Sequence, residues 1–451
     1  MLIALRHYFP QLTAWFGELE EFRQANRIRF SGELLCQLVL WQRLSGIESN
    51  HQFESEMAQT EHLSHNLSQY LTREIAELPS IDTICYYLQH LKPEKLQGII
   101  HAMISTLNRK KLLDGLKTDR GFLLLAVDGV HVFSSTRPLA HATHRCHGDG
   151  QTTYHQYYLE AKIVAPNGMA LSVHTEAIEN PVGEFDKQDC ELKAFQRLIA
   201  TVAGKHPQVK FLVLLDSLYC NAPVITAIRA HKWGYSVGFK GAQQNRPLMD
   251  EFTEGLNACR TNRKTVTIRY NSRSVLILHL RWCNHASHLF NGTTLLNSLH
   301  YIEGTITRKF VDGRERTFKL TYIVHSEITS ANVLEIFQTC RQRWKIENQG
   351  FNFQKNHGLH LGHCFCSQGH AAHNYYLFAQ MAHIVLQLTV LSDILKHWRK
   401  KQSPDDPSPP DSLLQLFGSF KIVIAKIRLE LFEKVISLYE FSDLRVRLPT
   451  G

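Results

Sequence analysis

The alternation of apolar and polar positions gives the chain three successive textures. Up to about residue 115 apolar residues recur at helical spacing, with Leu34, Leu35, Leu38, Val39 and Trp41 marking one such stretch. Ser80 stands where it can cap a helix over Ile81–Leu91. Pro93 opens the next over Glu94–Leu113, a position where its missing N–H costs nothing. This part is expected to be a helical bundle. The second texture begins at residue 121, where a short continuous apolar run, Phe122 to Val127, ends on Asp128. Such a run reads as a buried central strand.

A polar, His-rich loop follows. Residues 157–165 and 169–176 then form a hairpin pattern around Pro166-Asn167-Gly168. After a helical stretch over 187–204, Val209 to Leu215 repeats the earlier motif and ends on Asp216; a helix over 221–232 and a strand over 235–240 complete the series. The order predicts an α/β fold whose core, over 116–240, is a mixed five-stranded sheet with one antiparallel hairpin and two later strand–helix crossovers. From 241 to 325 the texture changes again. Lys264–Tyr270, Ser274–Trp282, Ile302–Phe310 and Arg316–Val324 alternate as strands and read as a β-rich insertion. The core resumes over 326–398 with helices at Ala331–Lys355 and 371–398, followed by a Pro- and Ser-rich linker over 399–411 and a helical tail over 412–451.

Composition narrows the class. Lys and Arg number 50 against 41 Asp and Glu, a formal charge of +9 that suits a polyanionic partner. The ten cysteines are scattered, only Cys364 and Cys366 lying close together, which points to reduced thiols and a cytoplasmic protein rather than a disulfide framework. The N-terminus lacks the apolar run of a signal peptide. The most apolar segment, near residues 375–395, is interrupted by Gln380, His383, Gln387 and Asp393, so it reads as a buried helix and not a membrane span.

The chemistry lies in the acids. Asp128 and Asp216 close two apolar strands, and the carboxyl edge of an open α/β sheet is where ligands bind. Either alone is commonly only a cap or a turn residue. Together, two adjacent carboxylates repel unless a cation lies between them, and Mg²⁺ suits such hard oxygen ligands. Glu347, on a helix, can supply a third carboxylate, and two divalent ions so held activate an attacking hydroxyl and stabilise a leaving oxygen. Arg343, four residues before Glu347, is expected on the same helical face, with Lys355 two turns on. The two cations form either a surface ion-pair ladder or a grip on DNA phosphates.

The stretch Arg343-Trp-Lys-Ile-Glu347 resembles the signature around the catalytic Glu of bacterial insertion-sequence transposases of the DDE class, the group with a β-rich insertion between the second Asp and the Glu. Val127-Asp128-Gly129 with Phe133-Ser-Ser, Leu214-Leu-Asp216-Ser-Leu-Tyr, and Lys187-Gln-Asp-Cys-Glu191 resemble other blocks of that family, over about residues 80 to 395. Members carry Tyr, two residues, Arg, three residues, Glu, six residues, Lys. Here Cys340 stands at the Tyr position and Gln354 at the Lys position, with Lys355 one place later. The resemblance implies a ribonuclease H-like core, Asp128, Asp216 and Glu347 as catalytic and metal-binding acids, and two Mg²⁺ or Mn²⁺ ions. It further implies binding of terminal inverted repeats and target DNA, a homodimeric synaptic complex, cut-and-paste strand transfer and a nucleoid-associated bacterial location, with no membrane partner. A metal-dependent nuclease of the same fold, or a non-catalytic DNA-binding relic, are the alternatives.

Two further features remain. His141, His144, Cys146 and His147 form one cluster; His357, His360, His363, Cys364, Cys366, His370 and His373 form another. Their spacings admit a structural Zn²⁺ held by His141, His144, Cys146, Cys364 and Cys366, or a His-rich loop facing DNA. Lys240, Arg260, Arg263, Lys264, Lys309, Arg314, Arg316 and Lys319 make the end of the core and the insertion basic. They are read either as a solvated face or, with Arg343 and Lys355, as DNA-backbone contacts.

Overall fold

A computed structural model describes residues 2–59, 62–179, 190–240, 246–271, 274–393 and 412–433. The chain is mixed α/β. It divides into two units: a helical unit made of Met1–Lys117, Gly129–Leu198 and Lys345–Gly451, and a sheet unit made of Thr118–Asp128 and Ile199–Trp344.

The helical unit begins with α1 (Leu2–Tyr8), α2 (Leu12–Gly17), α3 (Gly32–Leu44), α4 (Asn50–Gln59), α5 (His62–Leu71), α6 (Ile81–His90) and α7 (Pro93–Arg109). The expected start signals hold. The Ser80 hydroxyl accepts from the Thr83 amide, and Pro93 is the first residue of α7. Here β1 (Leu123–Ser135) contributes its second half, beside β2 (Thr143–Cys146) and β3 (Thr152–Val164), and β4 (Ala170–Ile178) pairs antiparallel with β3. The β3–β4 hairpin turns where Pro166-Asn167-Gly168 predicted, with Gly168 at φ 95°. The four residues of β2 were read as loop; they are held by pairing with β3 from Thr143↔His155 to Cys146↔Thr152. After the start of α8 (Glu191–Lys205) the unit continues with α12 (Phe353–Asn356), α13 (Ala371–Leu391), α14 (Leu413–Phe417) and α15 (Phe420–Glu433). Every residue of α13 from Ala371 to Thr389 is buried, among α3, α6, α7 and β4. A helix apolar all round is an interior helix, and no described helix is long and apolar enough to cross a membrane. The predicted linker lies outside the described residues, as does the tail beyond Glu433.

In the sheet unit the first half of β1 runs parallel to β5 (Phe211–Leu215), and β5 runs parallel to β6 (Gly234–Gly238) through the crossover helix α9 (Ala222–Ala230). The helix α10 (Arg246–Ala258) follows, inside the segment read as β-rich. Next come β7 (Arg263–Asn271), β8 (Ser274–Phe290), β9 (Thr294–Phe310), β10 (Glu315–Val324) and α11 (Val333–Arg341). These strands join the central sheet. β10 pairs antiparallel with β6, and β9, β8 and β7 continue the same sheet outward. The inward residues Leu276, Leu278, Leu280 and Trp282 of β8 meet Val333, Phe337 and Cys340 of α11. Gly304 is required by this packing, because a Cβ there would lie 2.2 Å from Cζ of Phe337.

Candidate active site

The first two acids meet in the sheet unit. The strand interior from Leu123 to Val127 is at most 3% exposed, and likewise Val213 to Leu215 of β5 are at most 1% exposed. The parallel register ends at Ala126↔Leu214. Asp128 and Asp216 therefore stand two residues further on each strand, at the same level of one carboxyl edge. Both are half-buried. Asp216 also serves as a cap: its Oδ1 accepts from the Leu218 amide at 2.9 Å and closes the short turn Ser217–Tyr219. A carboxylate has two oxygens and about four acceptor directions, so the cap does not exhaust it.

Arg343 is where the sequence placed it chemically but not structurally. The predicted continuous helix over Ala331–Lys355 ends at Arg341, and Arg343 lies in the turn beyond. From there its Nη1 donates to Oδ2 of Asp128 at 3.0 Å, the side chains being 15% and 18% exposed. Arg343 is thus not carried on one continuous helix with Glu347, and it bonds the first Asp. A charged hydrogen bond this sheltered is worth about 2 kcal/mol. Arg343→Ala is expected to lower stability by about that amount in urea unfolding, against no change for the exposed Arg316→Ala.

Glu347 lies in the helical unit, half-buried, on a π-helix spanning Ile346–Asn352 that leads into α12. A turn closed by i→i+5 bonds holds roughly one residue more than an α-turn. Gln354, at the position where the signature carries Lys, is fully buried and donates from Nε2 to Gln380 Oε1 at 2.7 Å. Lys355, one residue later, is exposed and donates to the His131 carbonyl of β1 at 3.0 Å. Cys340, at the Tyr position, is an interior residue of the sheet unit whose thiol is pushed up to about 12 by burial.

No family model matches this chain, and no curated protein matches its sequence.

The other predicted residues separate into used and dispersed. Lys240 and Arg263 are exposed, but Lys264 donates to the Ser330 carbonyl at 2.7 Å. Lys309, Arg314 and Lys319 are ion-paired with Glu315, Asp312 and Glu303. The strands from 263 to 324 are thus less positive than their sequence suggests. The five residues considered for zinc are not drawn into one set. His141 bonds Glu179 at 2.9 Å and His370 at 2.6 Å, Cys146 contacts the Thr152 hydroxyl at 3.4 Å, and His144 packs its ring against Tyr154. The Cys366 thiol is hydrogen-bonded to Cys85, which lowers it, while burial raises Cys364 to about 11. All ten cysteines are free thiols. Among the described residues no group of three or more His, Cys, Asp or Glu side chains is arranged to hold a metal ion.

Four residues of the helical unit that lie on or against the second half of β1 were not legible as such. Glu191, at the start of α8, brings its carboxylate against Gly129, the residue after Asp128; a Cβ on Gly129 would lie 2.5 Å from Glu191 Oε1. His131 Nε2 is 3.0 Å from the Ser134 hydroxyl, which is 2.8 Å from His155 Nδ1. Burial, then His155 and Lys355, hold the His131 imidazole below its usual value. The first is a contact between a helix start and a glycine within β1, and the second joins residues of two strands; neither leaves a signal in spacing alone.

Proposed function

We propose that the chain is a DDE-type DNA transposase with a ribonuclease H-like core, acting on phosphodiester bonds at the ends of its own element. The observation that carries this reading is the pair Asp128 and Asp216, each two residues past the last parallel pair of two adjacent strands, with Arg343 bound to Asp128. Hard carboxylate oxygens, few in number and open on one side, fit Mg²⁺ or Mn²⁺. Asp128 and Asp216 would hold the ions, and the resemblance assigns Glu347 as the third carboxylate. Bound there, the ions lower the pKa of the attacking hydroxyl and neutralise the leaving oxygen.

The chain's own residues do the rest. The two Asp carboxylates would fix the cations, and Arg343 beside Asp128 can donate to the scissile phosphate. Both cations of the Glu347 segment are bound to β1, Arg343 to Asp128 and Lys355 to His131, and each keeps further N–H donors for phosphate oxygens. Trp344 is 51% exposed between Arg343 and Lys345, an arrangement suited to stacking on an unpaired base. Support for the ribonuclease H-like core is the element order of strand, hairpin, helix, strand, helix, strand. Recognition of terminal repeats and dimerisation in a synaptic complex belong to the same reading, as does a cytoplasmic location.

The test is an excision assay with purified protein and DNA carrying the sequences that flank its coding region. Mg²⁺-dependent cuts at those ends, followed by joining of 3′ ends to a second DNA, are expected, and both disappear in Glu347→Gln. Cutting without joining would make the protein a nuclease of the same class. Absence of any Mg²⁺-dependent cut above that on unrelated DNA would reject the proposal.

A further inference from the structure

The helical unit holds a buried polar network that the chemistry above does not employ. Glu160 and Lys162, both on β3, are fully buried. Isolated charges are costly in such a place, and here they are paired and bonded. Glu160 Oε1 accepts from Ser172 and, at 3.4 Å, from Lys162, while Oε2 accepts from Thr175 at 2.7 Å and Tyr376 at 2.9 Å. The β3–β4 register shifts between Ala161 and Lys162. A bulge of this kind re-aims a side chain. Lys162 continues to Gln380 Oε1, on α13.

The same residues surround the π-helix. Gln380 Oε1 also accepts from Gln354, just past the C-terminal end of the π-helix. Gln387, seven residues along α13 and so on the same face, donates to the Gln349 carbonyl at 3.5 Å. Between these two ties lies Gly350, and a Cβ there would come within 3.2 Å of both Cδ and Cε of Lys162. The Lys162 ammonium lies 6.0 Å from the centroid of the Phe351 ring. The lysine stem occupies the space the glycine leaves.

We infer that Lys162 is a positioning residue for Glu347: with Glu160 and Gln380 it fixes the rotational register of the π-helix that carries this carboxylate and leads to Lys355. The inference rests on the reading of Glu347 as the third catalytic acid. A π-helix is a poor local minimum on its own, so its register depends on what packs against it. A rotation of one residue would turn Glu347 away and exchange Lys355 for Gln354.

The experiment uses the full chain and the double variant Glu160→Gln, Lys162→Met, which removes both buried charges while keeping the volume filled. Amide hydrogen exchange over Ile346–Asn352 is expected to accelerate about tenfold relative to the parent, with α3 and α7 unchanged. In the excision assay kcat is expected to fall on the order of tenfold to a hundredfold. The Mg²⁺ concentration for half-maximal cutting rises, and the KM for DNA rises with it because Lys355 moves with the register. Gly350→Ala, which presses on the Lys162 stem, gives the same direction of change and serves if the double variant does not fold. Parental exchange over Ile346–Asn352 in folded variants would overturn the inference, whether or not the parent cuts DNA. So would faster exchange with parental kcat and Mg²⁺ dependence. A parent without Mg²⁺-dependent cutting would instead count against the transposase reading, and the exchange arm would still decide the positioning.

Discussion

Asp216→Asn and Asp128→Asn are each expected to reduce Mg²⁺-dependent cutting of element ends by on the order of a thousandfold or more, because each removes a negative oxygen from a site that depends on holding cations. The Asn variants separate catalysis from structure. Asp216 caps the turn Ser217–Tyr219 through Oδ1, and Asn caps as well as Asp does. Asp216→Asn should therefore unfold within about 0.5 kcal/mol of the parent, whereas Asp216→Ala loses about 1 kcal/mol as well as activity. Asp128→Asn keeps an acceptor for Arg343 but loses the charge that pairs with it. Cleavage rates and urea unfolding on the same preparations decide the matter. Full cutting by Asp216→Asn would leave that residue a cap and nothing more.

The largest stability effect is expected at Glu160. Glu160→Ala removes the partner of a lysine that is itself fully buried, and it strands the hydroxyls of Ser172, Thr175 and Tyr376. Breaking a buried pair from one side costs about 3–5 kcal/mol, since the remaining charge has no solvent to return to. That is a large part of the whole stability of a typical domain. Removing both charges together should cost far less, and a double-mutant cycle across Glu160→Gln and Lys162→Met in urea unfolding measures the coupling. Burial already lowers the Lys162 pKa while Glu160 opposes the shift. A loss below about 1 kcal/mol in Glu160→Ala would mean that the site admits water.

Some of this was legible in the sequence, and the reason is local. A short apolar run next to turn signals reads as a buried strand, so the start of β1 and all of β5 followed from Leu123–Val127 and Phe211–Leu215; β5 ends before Asp216 as expected, whereas β1 runs on past Asp128 to Ser135. Ser80 and Pro93 fixed helix starts because capping is a matter of adjacent atoms. The hairpin over Pro166-Asn167-Gly168 followed from a turn that needs glycine. The strand alternation over 263–324 was equally plain, since period two is a property of the backbone.

What only the tertiary structure decided involved partners distant in the chain. Alternation alone does not say that β10 pairs with β6 and so extends the central sheet. The helical reading of 331–355 was right in class and wrong in kind. Whether an i→i+4 or an i→i+5 bond closes depends on Gln380, Gln387 and Lys162 lying against the segment, not on its own residues. Glu160 and Lys162 read as polar positions on a strand, yet both are buried, because the acceptors and donors that make burial tolerable come from β4 and α13. Charges in the 263–324 strands looked additive in the sequence and partly cancel as ion pairs. The sequence by itself determined the apolar strands that lead into Asp128 and Asp216 and the cations near Glu347. The fold decided which atoms those cations touch, because hydrogen bonds and burial depend on three-dimensional neighbours that spacing along a chain does not contain.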